Sequence, residues 1–207
     1  MSKYLKKLIK LNLFENLINK QFLEILEERK IKKEIKTLSK INNSVSINVK
    51  QQYEENPYPR WNSAQNIINI QKITNYLSNF DISISDFDVE CNPSVLIAGC
   101  GTGQQAIERG YQSKNILAVG LSLNSLSYAI RKSKENSETN IQFMQADILN
   151  LEKLKCKFDI IESVGVLHHM DNPLKGWEVL SKILKPGGLM LVGLYSEIAR
   201  SDIKLAH

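Results

Sequence analysis

Three glycines at alternate positions, Gly99, Gly101 and Gly103, stand between the apolar run SVLIA and a helical stretch that opens near Gln104. Without Cβ atoms such a loop turns sharply and lets a ligand approach the backbone, while free N–H groups at the following helix start receive its polar end. The spacing narrows the ligand. It is G-x-G-x-G, not the G-x-G-x-x-G of dinucleotide-binding loops, and no lysine followed by Ser or Thr completes a phosphate-binding P-loop. Asp147, just past the third apolar run, offers an acceptor to a ligand edge or a cap to the turn. His168 and His169 are adjacent, so their side chains diverge, and no carboxylate lies at ligand spacing; no metal site is assigned. One of the two histidines lining a substrate pocket stands beside a structural hydrogen-bonding role. Tyr53, Tyr58, Arg60 and Trp61 within YEENPYPRW place aromatics beside an arginine, which suits either a lid over a ligand or a docked linker. Cys100 lies inside the glycine loop, where its backbone rather than its sulfur faces a ligand. No catalytic nucleophile or base is assigned.

Elements must position these groups. After Pro93 five short apolar runs follow one another, SVLIA, NILAVG, IQFMQA, FDIIESV and LMLVGLY, separated by helical stretches over 104–110, 123–137 and 174–184. That alternation predicts βαβ units and a mostly parallel sheet of five strands buried on both faces, an α/β three-layer Rossmann-like fold. Upstream, apolar residues at helical spacing (Leu5, Leu8, Ile9, Leu13, Leu17, then Phe22, Leu23, Leu26, Ile31) predict two amphipathic helices. Residues 40–61 read as a polar linker, 64–80 as a further helix, and 81–93 as a loop. The expected domains are a basic helical arm over 1–52, a linker, lid and helix over 53–93, and a ligand-binding domain over 94–207.

Composition bounds the class. The 207 residues are 43% hydrophobic and 24% charged, which excludes wholesale disorder and fibrous architecture. No apolar stretch approaches the roughly 20 residues that span a bilayer, and lysines interrupt the N-terminal apolar run, so a cytoplasmic address is expected. Cys91, Cys100 and Cys156 are odd in number and lack zinc spacing, and are expected as free thiols. The net charge of +5 is uneven: residues 1–50 hold 12 basic and 5 acidic residues, leaving 15 and 17 for the rest. The basic arm is read as helices packed on the main domain with a solvated lysine face. Contact with nucleic acid, an acidic protein or a membrane surface is the lesser reading, and nucleic acid lacks an aromatic or Arg-rich pattern.

With the glycine loop placed, the chain resembles the class I S-adenosylmethionine-dependent methyltransferases, whose first motif is a strand followed by GxGxG. MQADIL, FDIIESVGVLHHM and LKPGGLMLVGLY agree with that family's later motifs in order, so the resemblance covers residues 94–195. YEENPYPRW further resembles a subgroup often joined to helical repeats. The resemblance implies S-adenosyl-L-methionine as cofactor, with Gly99, Cys100, Gly101, Gly103, Gln104, Gly120, Leu121, Asp147, Ile148 and Ser163 binding it and Asp147 receiving the adenine amino group. It implies methyl transfer to an unidentified acceptor, protein or small molecule, with Tyr53, Tyr58, Arg60, Trp61, His168 and His169 on the acceptor side. Two positions depart from the pattern. Ile97 stands where an acidic residue often contacts the methionine amino group, and Gly120 stands where an aspartate holds both ribose hydroxyls, so weak cofactor binding is expected. The family sheet continues past the fifth strand, so a chain truncated there is expected to expose an apolar edge and to self-associate through it. A degenerate, non-catalytic interaction module is the alternative function, and a nicotinamide-dependent oxidoreductase a distant third.

Overall fold

The computed structural model describes residues 15–62, 93–108, 115–136 and 140–196. In order these form α1 (Glu15–Ile18), a π-helical turn (Asn19–Leu23), α2 (Glu24–Ile31), β1 (Lys36–Thr37), α3 (Ser44–Glu55) and β2 (Ser94–Ala98). There follow α4 (Gln104–Glu108), β3 (Asn115–Gly120), α5 (Leu123–Glu135), β4 (Ile141–Gln145), a 3-10 turn (Ile148–Leu154), β5 (Phe158–Val164), a second 3-10 turn (Leu167–His169), α6 (Pro173–Lys182) and β6 (Leu184–Gly193). The first expected amphipathic helix up to residue 14, and the expected helix and loop over residues 64–92, lie outside the described residues.

One sheet runs through the domain in the order β1-β4-β3-β2-β5-β6, and every pairing in it is parallel. Successive residues of β2 point to opposite faces. Leu96 and Ala98 pack with Val119, Ile161, Leu167 and Leu180, while Val95 and Ile97 pack with Ile116, Ala118, Leu126 and Ile160. A central parallel strand buried on both faces must be apolar throughout, which is why SVLIA shows no polar alternation. Each fully buried Leu or Ile contributes about 1.5–3 kcal/mol. Helix starts are set locally: the Ser122 hydroxyl accepts from the Ser125 N–H (3.1 Å), and the Asn172 side chain accepts from the Lys175 N–H (3.1 Å) with Pro173 opening α6.

Two expectations are corrected. The sheet has six strands, because Lys36–Thr37 adds to β4 opposite Met144 and Gln145, and the Thr37 hydroxyl donates to Gln145 Oε1 (3.0 Å). A two-residue polar strand carries no apolar signature. The polar stretch 40–61 is not a linker throughout, since it holds the twelve-residue α3, and the division expected between residues 52 and 53 falls inside that helix. Asn43 caps it by accepting from the Ser46 N–H (2.9 Å). Its far end is fixed from outside: Glu54 accepts from the Leu123 N–H (2.6 Å) and from Lys32 (2.8 Å), and the Glu54 carbonyl accepts from Asn124 (2.6 Å). These bonds tie α3 to the start of α5.

The basic arm docks through charge as well as apolar surface. Arg131 of α5, 2% exposed, lies among Glu24 and Glu28 of α2 and Glu135, and over the Tyr128 ring with its guanidinium carbon 5.0 Å from the centroid. Burial works against its charge, but hydrogen bonding to Glu28 and the carboxylates of Glu135 and Glu24 outweigh it.

At the base of the sheet the buried Asp159 joins three strands. It accepts from the Ser94 N–H (2.8 Å) and hydroxyl (2.7 Å) at the start of β2 and from Lys185 Nζ of β6 (2.9 Å). Burial pushes the Asp159 carboxyl up, yet Lys185 and Ser94 together hold it below the usual carboxylate range. A depressed folded pKa contributes stability above the unfolded value, near 3.9, that is lost as pH falls through the folded value. Lys185→Met is therefore expected to cost about 2 kcal/mol near neutral pH. Melting curves across pH should show the gap between wild type and variant shrinking below about pH 4.

Candidate functional site

The C-terminal ends of β2, β3, β4 and β5 open into one cavity of about 750 Å³. Its volume suits a ligand of cofactor size. The glycine loop, Gly120 and Leu121, Ala146 to Ile148, and Val164 to Val166 line it from the sheet side. Ser46, Val49 and Tyr53 of α3, with Tyr58 and Pro59, close the other side, and His169, Met170 and Tyr195 stand at its rim.

The loop is tightened by two demands. A Cβ on Gly103 would come within 2.6 Å of the Ala129 Cβ, so the close packing of this turn on α5 requires glycine. Gly101 sits at φ +52°, the left-handed region, with its open side toward the Tyr58 carbonyl and the cavity. The segment after α3 clamps the loop from above: the Trp61 indole N–H donates to the Thr102 carbonyl (3.2 Å), and the Thr102 hydroxyl donates to the Pro59 carbonyl (2.6 Å).

Asp147 caps the turn after β4 and keeps one oxygen over. Its Oδ1 accepts from the Leu149 N–H (3.0 Å) and caps the 3-10 turn, whereas the buried Oδ2 has no hydrogen-bond partner. A carboxylate oxygen left without a partner at 3% exposure, in a residue lining a cavity, is costly unless a ligand or a water donates to it.

The expected residues separate in space. Gly99, Cys100, Gly101, Gln104, Gly120, Leu121, Asp147 and Ile148 line the cavity, as do Tyr53, Tyr58 and His169. Gly103 turns the same loop from behind. Ser163 is fully buried in β5 and does not line it. Arg60 and Trp61 also point elsewhere. Arg60 reaches toward Glu28 (3.9 Å) and lies over the Tyr128 ring, and Trp61 packs edge-on against Tyr128 at 6.1 Å, because a large indole gains more from burial than from a solvated lid. His168 lies beside the rim, stacked on Tyr195 with centroids 3.7 Å apart.

The sequence reading missed Ser46, Val49, Gln105, Glu108, Met170 and Tyr195 as lining residues. Gln105, adjacent to the glycine loop, and Met170 and Tyr195, which end two of the quoted motifs, carried a signal in their positions; Ser46, Val49 and Glu108 arrive through tertiary packing.

The titrating groups favour hydrogen bonding over nucleophilic chemistry. Burial first, then the neighbouring Tyr195 and Tyr58, push the Tyr53 phenol above its ordinary value, so it stays neutral. Burial pushes the Cys100 thiol up to about 12, far from the thiolate that a nucleophile requires. Alkylation with iodoacetamide at pH 8, followed by peptide mass mapping, is expected to label the exposed Cys156 and leave Cys100 unmodified.

A second expected outcome tests the cavity. Asp147→Asn keeps an oxygen to cap the 3-10 turn but turns a donor toward the ligand edge. Calorimetric titration with S-adenosylhomocysteine is expected to show roughly ten- to hundredfold weaker binding, at a cost of about 1.5–3 kcal/mol, with the melting temperature little changed.

Residues 96–192 match the family model described as a methyltransferase domain. The match spans somewhat under half of the chain, and the segment it covers carries the Rossmann-like parallel sheet. Among curated relatives, the chain is 34% identical over 115 residues to an uncharacterized protein of Synechococcus, covering 54% of this chain and 28% of that one. It is 34% identical over 107 residues to the malonyl-[acyl-carrier protein] O-methyltransferase of Halalkalibacterium halodurans, covering 49% of this chain and 39% of the relative. The chain thus spans well under half the length of these relatives. Among solved structures, the N-methyltransferase NodS of Bradyrhizobium japonicum, in complex with S-adenosylhomocysteine, superposes with a TM-score of 0.54 at 16% identity, covering 78% of this chain and 79% of NodS. The [4+2]-cyclase SpnF superposes with a TM-score of 0.53 at 21% identity, covering 74% of this chain and 61% of that protein. Those likenesses establish the fold. No helix among the described residues is long and apolar enough to cross a membrane.

Proposed function

We propose that this chain binds S-adenosylmethionine in the cavity at the strand ends and directs its methyl group to an acceptor entering between Tyr53, Tyr58, His169 and Tyr195. The partnerless, buried Oδ2 of Asp147, a residue that lines that cavity, carries the reading. It is an acceptor with the chemistry to receive an exocyclic amine, and the loop Gly99–Gly103, open to the cavity through Gly101, suits the middle of the same ligand. When bound, the cofactor would supply a methyl group on a sulfonium, with the neutral thioether as the leaving group when the acceptor bonds the methyl.

The chain's own residues then have a limited task. The glycine loop and the strand ends hold one reactant, and the aromatic rim excludes water and orients the other. Tyr53, neutral at physiological pH, orients through its hydroxyl and does not act as a phenolate base. Asp147 fixes one end of the ligand and so sets where its reactive centre lies relative to the rim.

Gly120 is a lesion in this site. It ends β3 and lines the cavity without a side chain that could accept from ribose hydroxyls. A Cβ there would meet only ordinary contacts, Leu126 Cδ2 at 3.6 Å and Cys100 Sγ at 3.7 Å. Gly120→Asp is therefore expected to be tolerated and to tighten S-adenosylmethionine binding roughly ten- to hundredfold by calorimetric titration. No binding by either protein would favour a non-catalytic interaction module, the reading that the bare Gly120 supports.

A further inference from the structure

Glu162 is 1% exposed, in the interior of β5, with Ile160 two residues before it on the same face. In the parallel pairing of β2 and β5 it stands directly opposite Ile97. A carboxylate at such a depth is costly unless it is hydrogen-bonded. Its Oε2 accepts from Gln105 Nε2 at 2.6 Å, and Gln105, on α4 just after the glycine loop, lines the cavity. A buried acid in the sheet thus holds a polar side chain that faces the ligand space.

The amide has a fixed polarity. With its NH₂ end turned to a carboxylate, which accepts and cannot donate when ionised, the Gln105 carbonyl oxygen is left as the acceptor on the other side. The sheet order places that oxygen relative to the ligand. Asp147 follows β4, Gly120 ends β3, the glycine loop follows β2, and Glu162 lies near the end of β5. A ligand laid across these ends with its adenine at Asp147 brings its amino-acid end to β2 and β5, where Gln105 stands.

We infer that Gln105 binds the cationic amino group of the cofactor's amino-acid end, and that Glu162 is the positioning residue that sets the amide's polarity. The pair takes the place of an acid at Ile97: the carboxyl group sits one strand over at the same register and acts through an amide. This inference rests on the cofactor reading above.

Two ligands separate the terms. S-adenosylhomocysteine carries the amino group, and methylthioadenosine keeps the adenine and ribose but lacks the amino-acid end. By calorimetric titration, Glu162→Gln, which preserves shape but no longer dictates the amide's polarity, and Gln105→Leu, which removes the acceptor, are each expected to weaken S-adenosylhomocysteine binding roughly five- to twentyfold. Methylthioadenosine binding should stay within about twofold of wild type. Equal weakening of both ligands would assign Glu162 a purely structural role and overturn the inference, as would unchanged S-adenosylhomocysteine affinity. A wild-type chain that binds neither ligand would overturn the cofactor reading itself, and this inference with it.

Discussion

Parallel pairing of β2 with β3 on one side and β5 on the other is the constraint from which the site follows. The registers Ala98 to Val119 and Ile97 to Glu162 bring three strands to their ends at one level. The glycine loop, Gly120 and Gly165 therefore emerge together. A slip of one residue would reverse the face of every side chain in the shifted strand, carrying Ile160 and Glu162 out of their layer. At the opposite end of the same strands, Asp159 ties the start of β2 to β5 and β6 and opposes such a slip.

The chain before the sheet completes the site and does not merely precede it. Helix α3 is held to α5 through Glu54 and hands Ser46, Val49 and Tyr53 to the cavity. The segment that follows grips the glycine loop through Trp61, Thr102 and Pro59. The two walls of the cavity, α3 on one side and the glycine loop on the other, are thus held to one another. Arg131 and its carboxylates anchor the same unit from behind, through α2.

Carboxyl groups are unevenly placed along the strand ends. β2 offers Ile97 and β3 offers Gly120, neither with a carboxylate, while Asp147 follows β4 and Glu162 lies within β5. Asp147 and Glu108 bring carboxyl groups to the cavity lining, while Gly120 brings none. The same sheet supports a cyclase and an N-methyltransferase among the superposable structures, so chemistry at these positions, more than architecture, decides what the domain does.

The sequence by itself determined the βαβ succession, the parallel sheet, the glycine loop and the place of Asp147. These are local signals: apolar runs of strand length, helical periodicity, and glycines where the backbone must turn. The reading of residues 40–61 failed because α3 has a mixed, polar face whose stability comes from Glu54, Lys32 and Asn124 across the fold. β1 was invisible because two polar residues become a strand only when Gln145 is there to pair with them. Trp61 and Arg60 resembled lid residues until tertiary packing supplied Tyr128, Thr102 and Glu28 as partners. The pairing of Glu162 with Gln105 belongs to the same class. Fifty-seven residues separate the two in sequence, and only the strand order, fixed by burial on both sheet faces, brings the carboxylate to the amide.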